Sequence, residues 1–220
     1  MHRYLSLIQS QLLPLLDIES TNPLEPITVR YLPEPWKVLG AGNYAAVVSH
    51  PEYPDRVLKL YAPGREGWED EVEVYRRLGN HPAYAECFHS NRELRYLVLR
   101  RLYGVTLYDC MRRGIRIPEQ AVNDIDEALE YARERGLNPH DVHGKNVMVS
   151  ENGRGAVVDV SDFLKTDPCN MWRDLRKAYY KVYLPYMHDQ PVAVPDALLN
   201  GVRKGYRWLR RGKDLLGSDS

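Results

Sequence analysis

Cysteine is scarce in this 220-residue chain: the three present, Cys87, Cys110 and Cys169, lie far apart and form no CxxC pair. An odd number at such spacing argues against a disulfide framework and a Cys-based structural zinc site, and a reducing, cytoplasmic setting is the expectation. Excess charge is missing too, since 30 Lys and Arg balance 30 Asp and Glu. That balance argues against a dedicated nucleic-acid binder and against a disordered acidic tail. Nowhere does an apolar run approach the roughly 18 to 20 residues that a membrane-spanning helix needs. The apolar patches of residues 1–16 are broken by Gln9, Ser10, Gln11 and Pro14 and lack a small-residue cleavage site. They predict a docking helix, not a signal peptide.

Hydrophobic residues make up 44% of the chain, enough to bury a substantial core without staples. Residues 20–35 carry Pro23, Pro26, Pro33 and Pro35 and read as an extended connector. Three short runs rich in Val, Leu and Tyr follow, Trp36–Leu39, Tyr44–Ser49 and Arg56–Tyr61, separated by turn residues, and predict antiparallel strands. Trp68–Leu78 switches to helical period and Leu94–Leu102 back to strand. Further on, Ala121, Val122, Ile125, Ala128, Leu129 and Ala132 form one stripe of a helix over Pro118–Arg135. Two apolar runs, Val147–Val149 and Ala156–Val158, precede a helix with Trp172, Leu175, Tyr179 and Val182 on one face, and a last helix spans Asp196–Arg211. The expectation is an α+β protein in which a strand-rich first part faces a helix-rich second part across a cleft.

Several residues in this frame invite chemistry. The turn Gly40, Ala41, Gly42, Asn43 lies between the first two predicted strands, where missing side chains let backbone amides approach a polyphosphate. Lys59 is a lone cation among apolar neighbours on a strand, where the simplest alternative is a solvent-facing position. In the following helix Trp68, Glu71, Tyr75 and Leu78 share one face, which turns the Glu71 carboxylate inward. An inward carboxylate needs a cation, and Lys59 is the candidate. The block His140, Asp141, Val142, His143, Gly144, Lys145, Asn146 is followed by Val157, Val158 and Asp159.

That block resembles the catalytic loop and metal-binding strand of the protein-kinase superfamily: an aspartate, an asparagine five residues on, and a second aspartate closing the next apolar strand. Gly40 and Gly42 then resemble the glycine-rich loop, Lys59 the phosphate-positioning lysine and Glu71 its helix partner. The resemblance implies a two-lobed protein-kinase-like fold, with residues 1–35 as a preceding helix and connector. Residues 36–102 would form a small sheet lobe with one helix and a hinge, and residues 103–220 a reduced helical lobe. It further implies ATP and Mg²⁺ or Mn²⁺ as partners. Asn146 and Asp159 would bind the metal, and Asp141 would orient the attacking hydroxyl with Lys59 and Glu71 in support. The nucleotide would touch Gly40, Ala41, Gly42, Asn43, Val47, Lys59, Leu99, Arg101 and Lys145.

The chain also departs from the family pattern. His140 stands where the usual arginine of the HRD triplet would be, and Val160 and Ser161 follow Asp159 in place of Phe and Gly. The stretch between Asp159 and the helix of Trp172 is short, with no APE motif, so the economy is more like RIO, Bud32-like and lipopolysaccharide-core kinases. His143 stands where aminoglycoside and choline phosphotransferases often carry histidine. The acceptor is therefore expected to be a hydroxyl of a protein, as in a serine/threonine kinase, or of a small molecule or glycan, and an ATP-binding pseudokinase is the third reading. The final helix, with Arg203, Lys204, Arg207, Arg210 and Arg211 opposite an apolar face, reads as a packed helix with a solvated side or as a contact for an acidic surface.

Overall fold

The computed structural model describes residues 1–22, 25–202 and 204–205. It is a mixed α/β structure whose sheets are antiparallel. The largest has five strands in the order β3 (Lys37–Ala41), β4 (Ala45–Ser49), β5 (Arg56–Tyr61), β7 (Tyr96–Arg100) and β6 (Cys87–Asn91). The period of two along these strands sorts their side chains cleanly. Val48, Leu58, Leu60, Tyr96 and Val98 face one side, and Val57, Tyr61, Leu97 and Leu99 the other.

Each face is covered by a helix that the sequence pattern anticipates. On the first, α1 (His2–Leu7) runs into a wider π-type turn, Ile8–Leu12, in which Leu13 N–H reaches Ile8 O at 3.0 Å. Tyr4, Ile8 and Leu12 are fully buried against Trp36, Leu58 and Tyr96, so the N-terminal segment is a docking helix as expected. Burying such side chains contributes about 1.5–3 kcal/mol each relative to exposure. On the other face lies α2 (Trp68–Leu78), whose bounds match the helical run in the sequence and whose Trp68, Val74, Tyr75 and Leu78 enter the core. Among its described residues the connector before the sheet contains no helix but does pair with the preceding segment: β1 (Asp17–Glu19) and β2 (Thr28–Tyr31) form a hairpin not foreseen from its prolines. The buried Arg65 ties it down, donating to Ser20 Oγ and to the carbonyls of Asn22 and Glu25.

After β7 come β8 (Val105–Thr106), α3 (Leu107–Arg113) and α4 (Glu119–Glu134). The apolar stripe of α4 is buried along its length, and β9 (Val147–Val149) and β10 (Gly155–Val157) cross it as a hairpin. Gly155 is required there because a Cβ would sit 2.2 Å from the carbonyl oxygen of Ala121. The next helix, α5 (Met171–Ala178), continues through a second π-type turn, Tyr179–Tyr183. That turn adds a residue to the repeat, so Tyr183 takes the buried place expected of Val182, which is 54% exposed. β6 and α3 were not anticipated: β6 has every residue half-buried, and α3 is only seven residues long. Of the final helix, residues 196–202 are helical, with Leu198 and Val202 exposed instead of packed. Arg203, Arg207, Arg210 and Arg211 lie outside the described residues. Among the described residues no helix is long and apolar enough to cross a membrane.

Candidate active site

Lys59 sits in the middle of β5 with both sheet faces covered, so the solvent-facing alternative fails: the residue is only 8% exposed. Across the core, Glu71 is placed by α2, whose first turn carries Glu69, Asp70 and Glu71 where the helix dipole favours negative charge. The Lys59 Nζ donates to Glu71 Oε1 at 2.7 Å and to Asp159 Oδ1 at 3.2 Å. The second oxygen of the fully buried Glu71 accepts the hydroxyl of Tyr61 at 2.6 Å. Tyr61 escaped the sequence reading, although the alternation along β5 already puts it on the face of Lys59.

Asp159 reaches this pair from the opposite half of the chain. The β9–β10 hairpin sets Val147 against Val157, and Val158 N–H donates to Asn146 O at 2.9 Å, which brings Asn146 and Asp159 to neighbouring positions. Ser161 N–H donates to Asp159 Oδ1 at 3.2 Å. Asp141 adopts a left-handed backbone, φ 55°, a conformation that aspartate tolerates better than most residues. The turn is fixed from within: His143 N–H donates to Asp141 O at 2.9 Å, Asn146 N–H to His143 O at 2.8 Å and Asn146 Nδ2 to Asp141 O at 3.0 Å. No donor reaches Asn146 Oδ1 among the described residues, while the Asp159 carboxylate also interacts with the Ser161 hydroxyl.

The electrostatics separate the two aspartates. Burial pushes the Asp141 carboxyl above its ordinary range, and the imidazole of His143, whose Nε2 is 3.8 Å from Asp141 Oδ2, offsets this only in part. Burial acts the same way on Asp159, but the Lys59 ammonium and Ser161 outweigh it and hold that carboxyl below the ordinary range. Burial disfavours the Lys59 ammonium, yet Asp159 and Glu71 more than compensate, so its charge is secure. Burial also raises the Glu71 carboxyl, against the pull of Lys59. One carboxylate is thus a firm anion and the other a readier proton acceptor, the division that acid–base and ligand roles require.

The remaining predicted contacts vary in placement. Val47 is paired with Lys59 across β4 and β5, and Leu99 with Val57 across β5 and β7, so both share the Lys59 face. β3 runs on through Gly40 and Ala41 instead of stopping at Leu39, and Asn43 lies in the turn after it. A Cβ at Gly40 would meet nothing within 4 Å, so internal packing does not demand glycine there. Gly42 N–H is already donated to Ala45 O at 3.0 Å. Arg101 N–H is donated to Asp55 O at 2.8 Å, and its guanidinium stacks on Tyr103. Lys145 is exposed, with Nζ 4.5 Å from the ring centre of Tyr108. His140 is largely buried and its Nδ1 has no hydrogen-bond partner among the described residues; Asp162 lies 3.9 Å from that atom and Asp167 3.8 Å from Nε2.

Among the described residues no group of three or more His, Cys, Asp or Glu is arranged to hold a metal ion. Asn146 and Asp159 offer two hard oxygens, which suits a cation that takes its other ligands from phosphates and water. Two surface cavities lie apart from this cluster, one at the start of α2 and one between α4 and α5.

No protein-family model matches the chain. It is 31% identical over 144 residues to the Bacillus subtilis (strain 168) protein named "Putative serine/threonine-protein kinase YrzF". The similarity supports a kinase-like family. The matched segment is 66% of this chain and 61% of that relative, so the chain spans about three fifths of that relative's length.

Proposed function

We propose that the chain is an ATP-dependent phosphotransferase with a two-lobed protein-kinase-like arrangement, moving the γ-phosphate to a hydroxyl of serine or threonine. The observation that carries this reading is the bridge from the buried Glu71 through the buried Lys59 to the partly exposed Asp159, set beside an Asp141 turn fixed by Asn146. Lys59, held between two carboxylates, is a fixed cation for the non-transferred phosphates. Tyr61 and Glu71 keep it from swinging. Asn146 Oδ1 and Asp159 Oδ2 would hold a Mg²⁺ or Mn²⁺ ion, which when bound neutralises phosphate charge. Asp141 accepts or orients the hydroxyl proton, a task that its raised pKa favours. Open space above Gly40 leaves room for phosphates against the strand backbone.

A second reading is supported by His143 beside the Asp141 carboxylate and by the few residues, 160–170, that precede α5. That stretch offers little platform for a peptide, which favours a small-molecule or glycan hydroxyl. Label from γ-labelled ATP and Mg²⁺ separates the two. Transfer to protein, lost on Asp141→Asn, fits the first; transfer to a small-molecule fraction alone fits the second. ATP binding with no Asp141-dependent transfer to either fraction would leave a nucleotide-binding protein without turnover.

A further inference from the structure

Between α4 and α5 lies a cavity of about 270 Å³ whose walls include Arg133 from α4, Arg173 and Arg176 from α5, Asp126, Pro139 and Asn170. Nothing in the phosphotransfer scheme uses these arginines. Asp126 is the one carboxylate among these lining residues, and it is committed: it accepts Trp172 Nε1 at 2.6 Å and pairs with Arg176 Nε at 2.5 Å. Arg133 is engaged through one nitrogen, Nη1 to Glu130 at 2.8 Å, and Arg173 lies only within 3.7 Å of Asp174. Each guanidinium carries five N–H donors. The rest of those on Arg133 and Arg173 have no acceptor among the described residues. The N-terminal end of α5 opens on the same cavity, and its first residue outside the helix, Asn170, makes no side-chain cap. Its first-turn N–H groups add partial positive charge.

We infer that this cavity is a binding site for a phosphate group, distinct from the Lys59–Asp159 cluster. Forked donors from two helices suit the three or four oxygens of a phosphate dianion better than a carboxylate, which offers two. Both inorganic phosphate and a phosphomonoester on a protein segment present this chemistry. The site does not depend on the chain being a phosphotransferase, because it rests on residues outside that machinery. Pro139 is a wall of the cavity and immediately precedes His140 and Asp141, so an occupant would touch the start of the Asp141 loop.

The test is calorimetric titration of the full chain with sodium phosphate, against chloride of matched ionic strength, and in a second arm with a phosphothreonine peptide. Saturable binding is expected in the unsubstituted chain and in Lys59→Met. It should weaken about tenfold or more in an Arg133→Gln, Arg173→Gln double variant. Should the double variant fail to fold, Arg173→Lys decides, since it keeps the charge but removes the fork and should weaken binding several-fold. Tighter binding of the peptide would assign a phosphorylated segment as the ligand, and equal binding a free anion. No saturable binding of either probe, or unchanged affinity in the folded arginine variants, would overturn the site.

Discussion

Removing the Tyr61 hydroxyl should destabilise the chain out of proportion to the single atom lost. In Tyr61→Phe the ring stays, so packing against the core is preserved, but Glu71 Oε2 loses its donor at 2.6 Å. Glu71 is fully buried, and water cannot replace that donor without a rearrangement. An unsatisfied buried acceptor costs about 1–3 kcal/mol, with charged groups at the upper end, so a loss of about 2–3 kcal/mol is expected. For a chain of this length that corresponds to a drop in Tm of roughly 4–12 °C. A built-in control exists: the Tyr4 hydroxyl is buried with no hydrogen-bond partner among the described residues, so Tyr4→Phe should be neutral or slightly stabilising. Urea unfolding followed by circular dichroism, extrapolated to water, reads both variants. A pH series adds a sign. Burial already raises the Glu71 carboxyl, and loss of the hydroxyl raises it further, so the folded variant binds a proton at higher pH than its unfolded chain. The deficit should therefore be largest near neutrality and shrink on acidification through that raised pKa. Equal stability of Tyr61→Phe and Tyr4→Phe would refute the reasoning that Glu71 depends on Tyr61.

Other outcomes follow from the same geometry. Phosphoryl transfer, measured across pH, should fall on the acid side above the usual carboxylate value of about 4, because burial raises Asp141. His143→Gln should move that limb to still higher pH, since the imidazole pulls the Asp141 carboxyl down. Asp124→Ala should cost about 2–3 kcal/mol by denaturant unfolding, for it strands Gly155 N–H at 2.8 Å and frees Arg154. Burial opposes ionisation of Asp124, but Arg154, Gln120 and Gly155 outweigh it and depress its pKa below the unfolded value. Its contribution should thus be present above about pH 4 and disappear as pH falls through the depressed pKa, a dependence absent from Asp124→Asn. Gly155→Val should abolish soluble expression or the cooperative melt, because a Cβ collides with the Ala121 backbone.

The parts of the fold that were legible in the sequence are those with a strong period and a mechanism to end them. α2 is bounded by Gly67 and Gly79, and its amphipathic face turned Glu71 inward as expected. The pairing of Lys59 with Glu71 followed from that inward face together with charge, because a buried carboxylate requires a cation. The link from Lys59 to Asp159, 100 residues away in sequence, is a tertiary contact that periodicity cannot place. The hairpin of β1 and β2 was hidden because its pairing ends beside prolines and depends on Arg65 from another segment. The π-type turn at Tyr179–Tyr183 defeated the helical count by one residue and exchanged Val182 for Tyr183. At the candidate site, the backbone donors of Gly42 and Arg101 were invisible to sequence, and both are engaged within the chain.

Transfer of label from γ-labelled ATP in the presence of Mg²⁺, with Asp141→Asn and Asp159→Asn beside the unsubstituted chain, tests the central claim most directly. The account predicts transfer to a hydroxyl acceptor by the unsubstituted chain and its loss, by at least a hundredfold, in both folded variants. Transfer undiminished by either substitution would contradict the roles assigned to these two aspartates.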